Sequence, residues 1–140
     1  MKITIIGSSS FCKEMVEYQE KLINLGHEVK LHEHYTARAK GERPDLTKRV
    51  ETEHAKLKIE HDYIRYHYNE IVKSDAVLVL NFDRKGIKNY IGGNTLMELG
   101  FAFVHYKKIF LLNPIPEISY QDEIEAVCPL VINSNLSLIV

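Results

Sequence analysis

The chain contains little cysteine. Only Cys12 and Cys128 occur among its 140 residues, and they show neither a C-x-x-C spacing nor the spacing of a metal-ligand set. This scarcity excludes a disulfide-stapled scaffold and a cysteine-based zinc site. We interpret both side chains as reduced thiols with mainly structural roles.

A long hydrophobic run and an excess of one charge are also missing. The opening MKITIIGSSS has an apolar run too short for the core of a signal peptide or for a membrane span. Basic and acidic side chains nearly balance, at 18 and 19, which disfavours nucleic acid and anionic membranes as partners. We therefore expect a cytoplasmic protein that binds a small molecule.

Apolar segments with the periods of strands and helices alternate along the chain. Helical spacing is found in residues 11–25 and 117–127 and after the Gly-Gly pair, and strands are predicted at residues 2–6, 28–32, 76–80, 109–112 and 130–132. Continuous apolar runs such as AVLVL are typical of strands buried on both faces of a parallel sheet. Residues 1–140 are therefore predicted to form a single α/β domain, a flavodoxin-like or Rossmann-like three-layer sandwich with a mostly parallel sheet of about five strands.

The polar stretch 35–44 contains one glycine and one proline and is predicted to be a loop. It carries the cations Arg38, Lys40 and Arg43. These side chains are either candidates for contact with a substrate phosphate or ordinary solvated loop residues.

Residues 45–73 contain no helix-breaking residue, and apolar side chains recur at every seventh position. This pattern predicts one long amphipathic helix with a continuous stripe. At a rise of 1.5 Å per residue the helix would be about 40 Å long, more than so small a domain easily covers. Either the stripe contacts a second copy in a homo-oligomer, or the helix is kinked or broken.

In an open parallel sheet, ligands bind beyond the carboxyl ends of the strands. The first loop predicted to lie there is GSSS, in which Gly7, Ser8 and Ser9 are candidate ligands. Small hydroxyls and backbone N–H groups at the start of a helix suit a phosphate or a sugar hydroxyl. A serine-rich helix cap is an equally ordinary explanation of the same residues.

The second candidate loop is Gly92-Gly93-Asn94-Thr95, which precedes a helix that is apolar nearly all round. The glycines allow another molecule to approach the backbone, and Asn94 or Thr95 is predicted to cap the helix. Glu98 follows within or just beyond the first turn. A carboxylate in a buried helix is a candidate nucleophile or sugar ligand, because such a position perturbs its pKa; a bond to a loop backbone, or exposure to water, is the structural alternative.

Four segments together resemble the nucleoside 2-deoxyribosyltransferase family and the related deoxynucleotide N-glycosidases. They are the G-S-S loop and the segments SDAVLVLN at 74–81, GGNTLMELGFA at 92–102 and KKIFLLNP at 107–114. The most specific of them is the E-L-G-F-A element with the small residues that precede it. The resemblance covers a little under half of the chain.

The resemblance implies a nucleoside or nucleotide substrate and assigns roles to residues. Glu98 takes the place of the nucleophile that attacks C1′ of the 2-deoxyribose, as in retaining glycosyl transfer. Asp75 matches the position of a candidate second acid, with a strand-start aspartate held by backbone N–H groups as the alternative. Where the transferases have an acid about six residues before the nucleophile, this chain has Gly92, so sugar recognition is assigned instead to neutral groups on Asn81, Asn94 and Ser8.

Two further alternatives remain open. The G-G-x-x-T-x-x-E string also looks like the signature of the cytokinin-activating phosphoribohydrolases, although Asn94 replaces that family's third glycine. A non-catalytic nucleotide-binding or sensor domain would explain the missing acid at residue 92. The seven histidines lack the spacing of a zinc site, and we expect neither a metal ion nor a cofactor.

Overall fold

A computed structural model of residues 1–140 contains one sheet of five strands, all parallel. Their order across the sheet is β2-β1-β3-β4-β5, so β2 is added on one side of β1 and the later strands on the other, and the strand order reverses between β1 and β3. The strands are β1 (Lys2–Gly7), β2 (Glu28–Val29), β3 (Ala76–Leu80), β4 (Lys108–Leu111) and β5 (Leu130–Val131). The predicted flavodoxin-like α/β sandwich is confirmed.

Seven α-helices connect the strands: α1 (Cys12–Asn24), α2 (Glu33–Ala39), α3 (Pro44–Thr52), α4 (His54–His61), α5 (Tyr63–Lys73), α6 (Gly93–Val104) and α7 (Gln121–Ala126). Short 3₁₀ turns occur at Ser9–Phe11 and Leu136–Leu138. None of the helices combines the length and apolarity needed to cross a membrane.

Alternation along the strands divides the core between the two faces of the sheet. Ile3 and Ile5 of β1 pack on one face with α1 and the carboxyl-terminal segment, while Ile6 packs on the other face with α5, α6 and α7. The central strand β3 is buried at every residue, as its continuous apolar sequence predicts. The sheet is therefore covered on both faces, which leaves its carboxyl edge as the place where loops meet.

The loop predicted at 35–44 is wrong in part, because its first half, residues 35–39, belongs to α2. His32 caps that helix by accepting a hydrogen bond from the His34 N–H at 2.9 Å. Arg38 lies inside the helix and is buried, whereas Lys40 follows the helix and is exposed. A histidine cap is a weak sequence signal, and this explains why polar composition favoured a loop.

The single helix predicted over 45–73 is also wrong, and the broken alternative is correct. The chain leaves helical geometry at Glu53 and again at Asp62, which adopts a left-handed conformation with φ of 51°. The breaks let α3, α4 and α5 enclose a small apolar cluster of Leu46, Leu57 and Tyr63. A continuous apolar stripe about 40 Å long is therefore not formed. The homo-oligomer predicted from that stripe no longer has its support and remains a prediction.

Candidate functional site

A cleft with a volume of about 1090 Å³ lies at the carboxyl edge of the sheet. Its walls come from four segments: the loop after β1, helices α2 to α4, the loop after β3, and the start of α6. Of the predicted site residues, Gly7, Ser8, Ser9, Gly92, Gly93, Asn94 and Thr95 all line it. This is the crevice expected where strand order reverses in a doubly wound sheet.

The GSSS loop has a larger structural role than its sequence suggests. A Cβ atom on Gly7 would lie 2.9 Å from the backbone oxygen of Leu80, so this glycine permits close packing of β1 against β3. Ser8 caps the following turn by accepting a hydrogen bond from the Ser10 N–H. The hydroxyl of Ser9 is not used in this way and lies on the cleft wall.

The Gly-Gly segment begins α6, but its cap differs from the prediction. Gly92 is the N-cap residue and offers no side-chain bond, while the amide of Asn94 donates to Oε1 of Glu98 at 2.7 Å. A Cβ atom on Gly92 would lie 3.0 Å from the hydroxyl oxygen of Tyr90. Tyr90 therefore occupies the space into which an acidic side chain at residue 92 would extend.

Glu98 lies one layer beneath the cleft surface. Its side chain is not part of the cleft lining, and only 3% of the residue is exposed, but its partner Asn94 faces the cleft. Burial raises the pKa of the Glu98 carboxyl to about 8, and the positive charge of Lys58 acts against that rise. The carboxyl is therefore largely protonated at neutral pH in the free protein.

Aromatic side chains close the other side of Glu98. Nδ1 of His67 lies 3.9 Å from Glu98 Oε2, and the ring of Tyr35 stacks on the His67 ring with centroids 5.6 Å apart. Burial, with the charges of His32 and Lys58, lowers the pKa of His67 to about 4. Because His67 is neutral at pH 7 and the distance exceeds a hydrogen bond, the pair is not a salt bridge.

Positive side chains dominate the cleft surface. Its lining includes two carboxylates, Glu14 and Glu51, and five cations: Lys13, Arg38, Lys58, Arg84 and Lys85. None of these cations lies within 4.0 Å of a carboxylate, although seven contacts between a lysine or arginine and a carboxylate occur elsewhere in the chain. Unpaired cations facing a concave, partly apolar surface suit an anionic small molecule.

Several of these cations lie close enough to His54 to affect its pKa. Its pKa is lowered by burial and then by the charges of Lys58, Arg84, Lys85 and Arg38. Arg84 and Lys85 also flank the ring of Tyr90, at 5.7 and 5.8 Å from its centroid. The cleft thus combines an aromatic face with positive charge, a combination that suits a base carrying an anionic substituent.

Besides Glu98, two predicted site residues lie outside the cleft lining. Asp75 precedes β3 at the amino edge of the sheet, where its Oδ2 accepts the Lys2 backbone N–H at 2.8 Å. The five residues of β3 span about 16 Å, so Asp75 and the cleft are at opposite edges. The prediction of Asp75 as a second acid is therefore not supported, and the alternative of a strand-start aspartate describes it correctly.

Asn81 is the second displaced residue. Its amide donates to the carbonyls of Asn113 and Pro114, and its Oδ1 accepts the Asn113 N–H at 2.9 Å. Both amide hydrogens and the oxygen are therefore occupied, and Asn81 joins the loops after β3 and β4 instead of contacting a ligand. Its complete burial agrees with this role.

Sequence reasoning missed Tyr35, Lys58 and His67 as neighbours of Glu98. The only signal for Lys58 was its position four residues after His54, which places both on one face of a helix. Tyr35 fell in the stretch predicted as a loop.

No group of three or more His, Cys, Asp or Glu side chains is arranged to hold a metal ion.

Comparisons with protein-family models, curated proteins and solved structures find no match to the chain. The function therefore has to be inferred from the cleft, its cations and the carboxyl of Glu98. A fold of this type hosts many unrelated activities and does not select among them.

Proposed function

We propose that the protein cleaves the N-glycosidic bond of a nucleoside or nucleotide, by hydrolysis or by 2-deoxyribosyl transfer, with Glu98 as the nucleophile. The observation that carries this proposal is a buried carboxyl held by Asn94 directly beneath the cleft. A perturbed acid beside a concave surface is characteristic of catalytic sites. The resemblance of the M-E-L-G element to the transferases supports the same residue.

The reaction has two steps. An Oε atom of Glu98 attacks C1′, the bond from C1′ to the base nitrogen breaks, and its electron pair leaves with the base. The proton that Glu98 held at rest passes to the base, directly or through cleft groups and water, so the products are a glycosyl ester and the neutral base. Water, or a second base, then attacks C1′, breaks the ester and restores the Glu98 carboxyl.

The raised pKa of Glu98 fits this sequence of steps. A sugar that approaches an oxocarbenium ion brings positive charge to a carboxyl that has no cation within 4.0 Å, because His67, the basic side chain beside it, is neutral. The ionised form gains most from that charge in the transition state, where stabilisation accelerates the reaction. A resting, protonated carboxyl therefore becomes a charged nucleophile only when a substrate is present.

The test is release of free base from a panel of deoxynucleosides, ribonucleosides and their 5′-monophosphates, followed by chromatography. We expect Glu98→Gln to reduce release by roughly a thousandfold or more, because the amide is a poor nucleophile. Glu70→Gln is the matched control, since Glu70 is also a buried glutamate but pairs with Lys30 at 3.7 Å, away from the cleft. A Glu98→Gln protein as active as the Glu70→Gln protein would refute the assignment.

Trapping of the intermediate provides an independent readout. We expect intact-protein mass spectrometry after rapid acid quenching to detect one added sugar, and peptide mapping to locate it on Glu98. Ribonucleoside monophosphates in the same panel distinguish the phosphoribohydrolase alternative, since both enzyme classes break the same bond.

A non-catalytic nucleotide-binding domain is the second candidate. The observation that favours it is the position of Asn94 between Glu98 and the cleft, together with the absence of an acid at residue 92. Binding of nucleotides across the panel without any base release would support this candidate.

A further inference from the structure

We propose that the substrate carries a phosphate group and that Arg38 is the specificity-determining residue that binds it. The identity of the substrate rests on the proposed function, whereas the phosphate contact stands on the structure around Arg38. This contact lies on the α2 side of the cleft, on a different segment from the Gly-Gly loop.

Arg38 is buried and yet lacks a charged partner. Only 8% of the residue is exposed, and the single hydrogen bond of its side chain runs from Nε to Oγ1 of Thr47 at 3.4 Å. The two Nη groups have no protein partner and belong to a side chain that lines the cleft. Neither Nη atom is fully buried, so both can be reached from the cleft, and a phosphate bound there would supply the charge-assisted hydrogen bonds that the protein does not.

The other arginines show that this condition is specific to the cleft. Arg43, Arg49 and Arg65 lie outside it, and each has a carboxylate oxygen within 3.1 Å. Arg38 and Arg84 line the cleft and have no carboxylate within 4.0 Å. The chain therefore pairs its surface arginines internally and leaves those of the cleft free.

The charges around Arg38 favour a phosphate over a neutral group. With five cations and two carboxylates, the cleft lining has a formal excess of three positive charges, enough to balance a dianion. A planar guanidinium donates two parallel hydrogen bonds to phosphate oxygens, and the Ser9 hydroxyl on the same wall offers a further donor. A neutral nucleoside would leave the Nη groups of Arg38 without an anionic partner.

A terminal monophosphate and a pyrophosphate bridge present the same oxygen chemistry to Arg38. The experiment therefore compares inorganic phosphate, inorganic pyrophosphate, a nucleoside, its 5′-monophosphate and its 5′-diphosphate as ligands. Binding is measured by calorimetry on the full chain and again on the Glu98→Gln protein, in which turnover does not obscure the equilibrium. The variants are Arg38→Met, Arg38→Lys and, as the matched control outside the cleft, Arg65→Met.

We expect the monophosphate or diphosphate to bind at least about tenfold more tightly than the nucleoside, and Arg38→Met to remove that preference. Arg38→Lys keeps the charge without the paired donors and is expected to fall between the two, while Arg65→Met is expected to match the unaltered protein. In turnover assays Arg38→Met is expected to raise KM for the phosphorylated substrate much more than it lowers kcat. Stronger competition by pyrophosphate than by phosphate would identify the bridging form.

Equal affinity of the unaltered protein for nucleoside and nucleotide would overturn the proposal, as would an Arg38→Met protein that keeps the preference. If Arg38→Met does not fold, the unaltered protein and Arg38→Lys decide the question. Phosphate binding that depends on Arg38 without base release would sustain this inference and remove the proposed catalysis. Base release at the same rate from substrates with and without a phosphate would overturn this inference and leave the proposed catalysis in place.

Discussion

The two walls of the cleft are built in different ways. One wall, which we call the glycine wall, consists of Gly92, Gly93, Asn94 and Thr95 with Glu98 beneath them, and it is part of the crossover between β3 and β4. The other, the cation wall, consists of Tyr35, Arg38, His54 and Lys58, and it belongs to helices α2 and α4 that leave the sheet. The first wall holds a carboxyl beneath the cleft, and the second holds cations that line it.

This difference separates two tasks. The glycine wall is anchored to the main core by Leu99 and Ala102, which are fully buried against the sheet. The cation wall depends on a small cluster of three buried residues, Leu46, Leu57 and Tyr63. We infer that bond cleavage takes place at the more extensively packed glycine wall and that the anion is recognised by the cation wall. Ligand-binding segments are commonly among the less stable parts of a protein.

The largest expected effect concerns the buried carboxyl of the glycine wall. The pKa of Glu98 is raised from 4.5 to about 8, so the folded chain holds this proton more tightly than the unfolded chain and loses stability as pH rises between those values. Glu98→Gln does not titrate and is expected to gain stability over the unaltered protein, on the order of 4 kcal/mol at about pH 9.

Denaturant unfolding from pH 6.5 to about pH 9 measures this gain and stays above the titration of His67, whose pKa is about 4. Glu70→Gln, the control, loses its contact with Lys30 and is expected to be destabilised. A stability difference for Glu98→Gln that does not grow with pH would contradict the assigned pKa direction.

The next effect tests whether the walls unfold separately. Leu57→Ala removes a fully buried side chain from the three-residue cluster and is expected to cost about 2–4 kcal/mol. Hydrogen exchange is expected to accelerate in α3 and α4 while β1 and β3 stay protected. Leu99→Ala, a matched deletion under the glycine wall, is expected to accelerate exchange throughout the sheet. Identical exchange patterns for the two variants would show that the walls are one cooperative unit.

A smaller effect tests the communication between the walls. The charge of Lys58 lowers the pKa of Glu98, so Lys58→Met is expected to raise that pKa further above about 8. If Glu98 must ionise to react, the alkaline rise of kcat against pH moves to higher pH, and the rate at pH 7 falls by roughly fivefold. Lys56→Met is the control, since Lys56 is on the same helix but pairs with Glu53. An unchanged profile would show that the two walls act independently.

The smallest effect concerns the break that creates the cation wall. Asp62 has a left-handed φ of 51°, which costs a residue with a Cβ atom about 1 kcal/mol. Asp62→Gly removes this strain but adds unfolded-state entropy, and the net stabilisation expected in thermal unfolding is about 0.5 kcal/mol. Asp62→Ala is the comparison and is expected to be no more stable than the unaltered protein. A more stable alanine variant would indicate that α4 and α5 tend to merge.

The accuracy of the sequence predictions follows the same division. The strands at 76–80 and near 109–112 and the helix after Gly92 were predicted within a residue or two, because continuous apolar runs leave little choice of structure. The segment 35–73 was mispredicted, because a polar stretch capped by histidine and breaks at Glu53 and Asp62 have no strong local signal. Asp75 was assigned to the site from a resemblance, although its place before a strand already located it at the opposite edge of the sheet.

By itself, the sequence determined the layered parallel sheet, the loops that meet at its carboxyl edge and the burial of Glu98. These features follow from apolar patterns whose burial is worth far more free energy than any local alternative. Only the tertiary structure decided that Tyr35 and Lys58 lie near that carboxyl, that Arg38 lines the cleft above it and that one long helix becomes three. The free-energy cost of the helix breaks at Glu53 and Asp62 is similar to the free energy gained from a few packing contacts. Long-range packing therefore determines which of two arrangements, nearly equal in local energy, is formed.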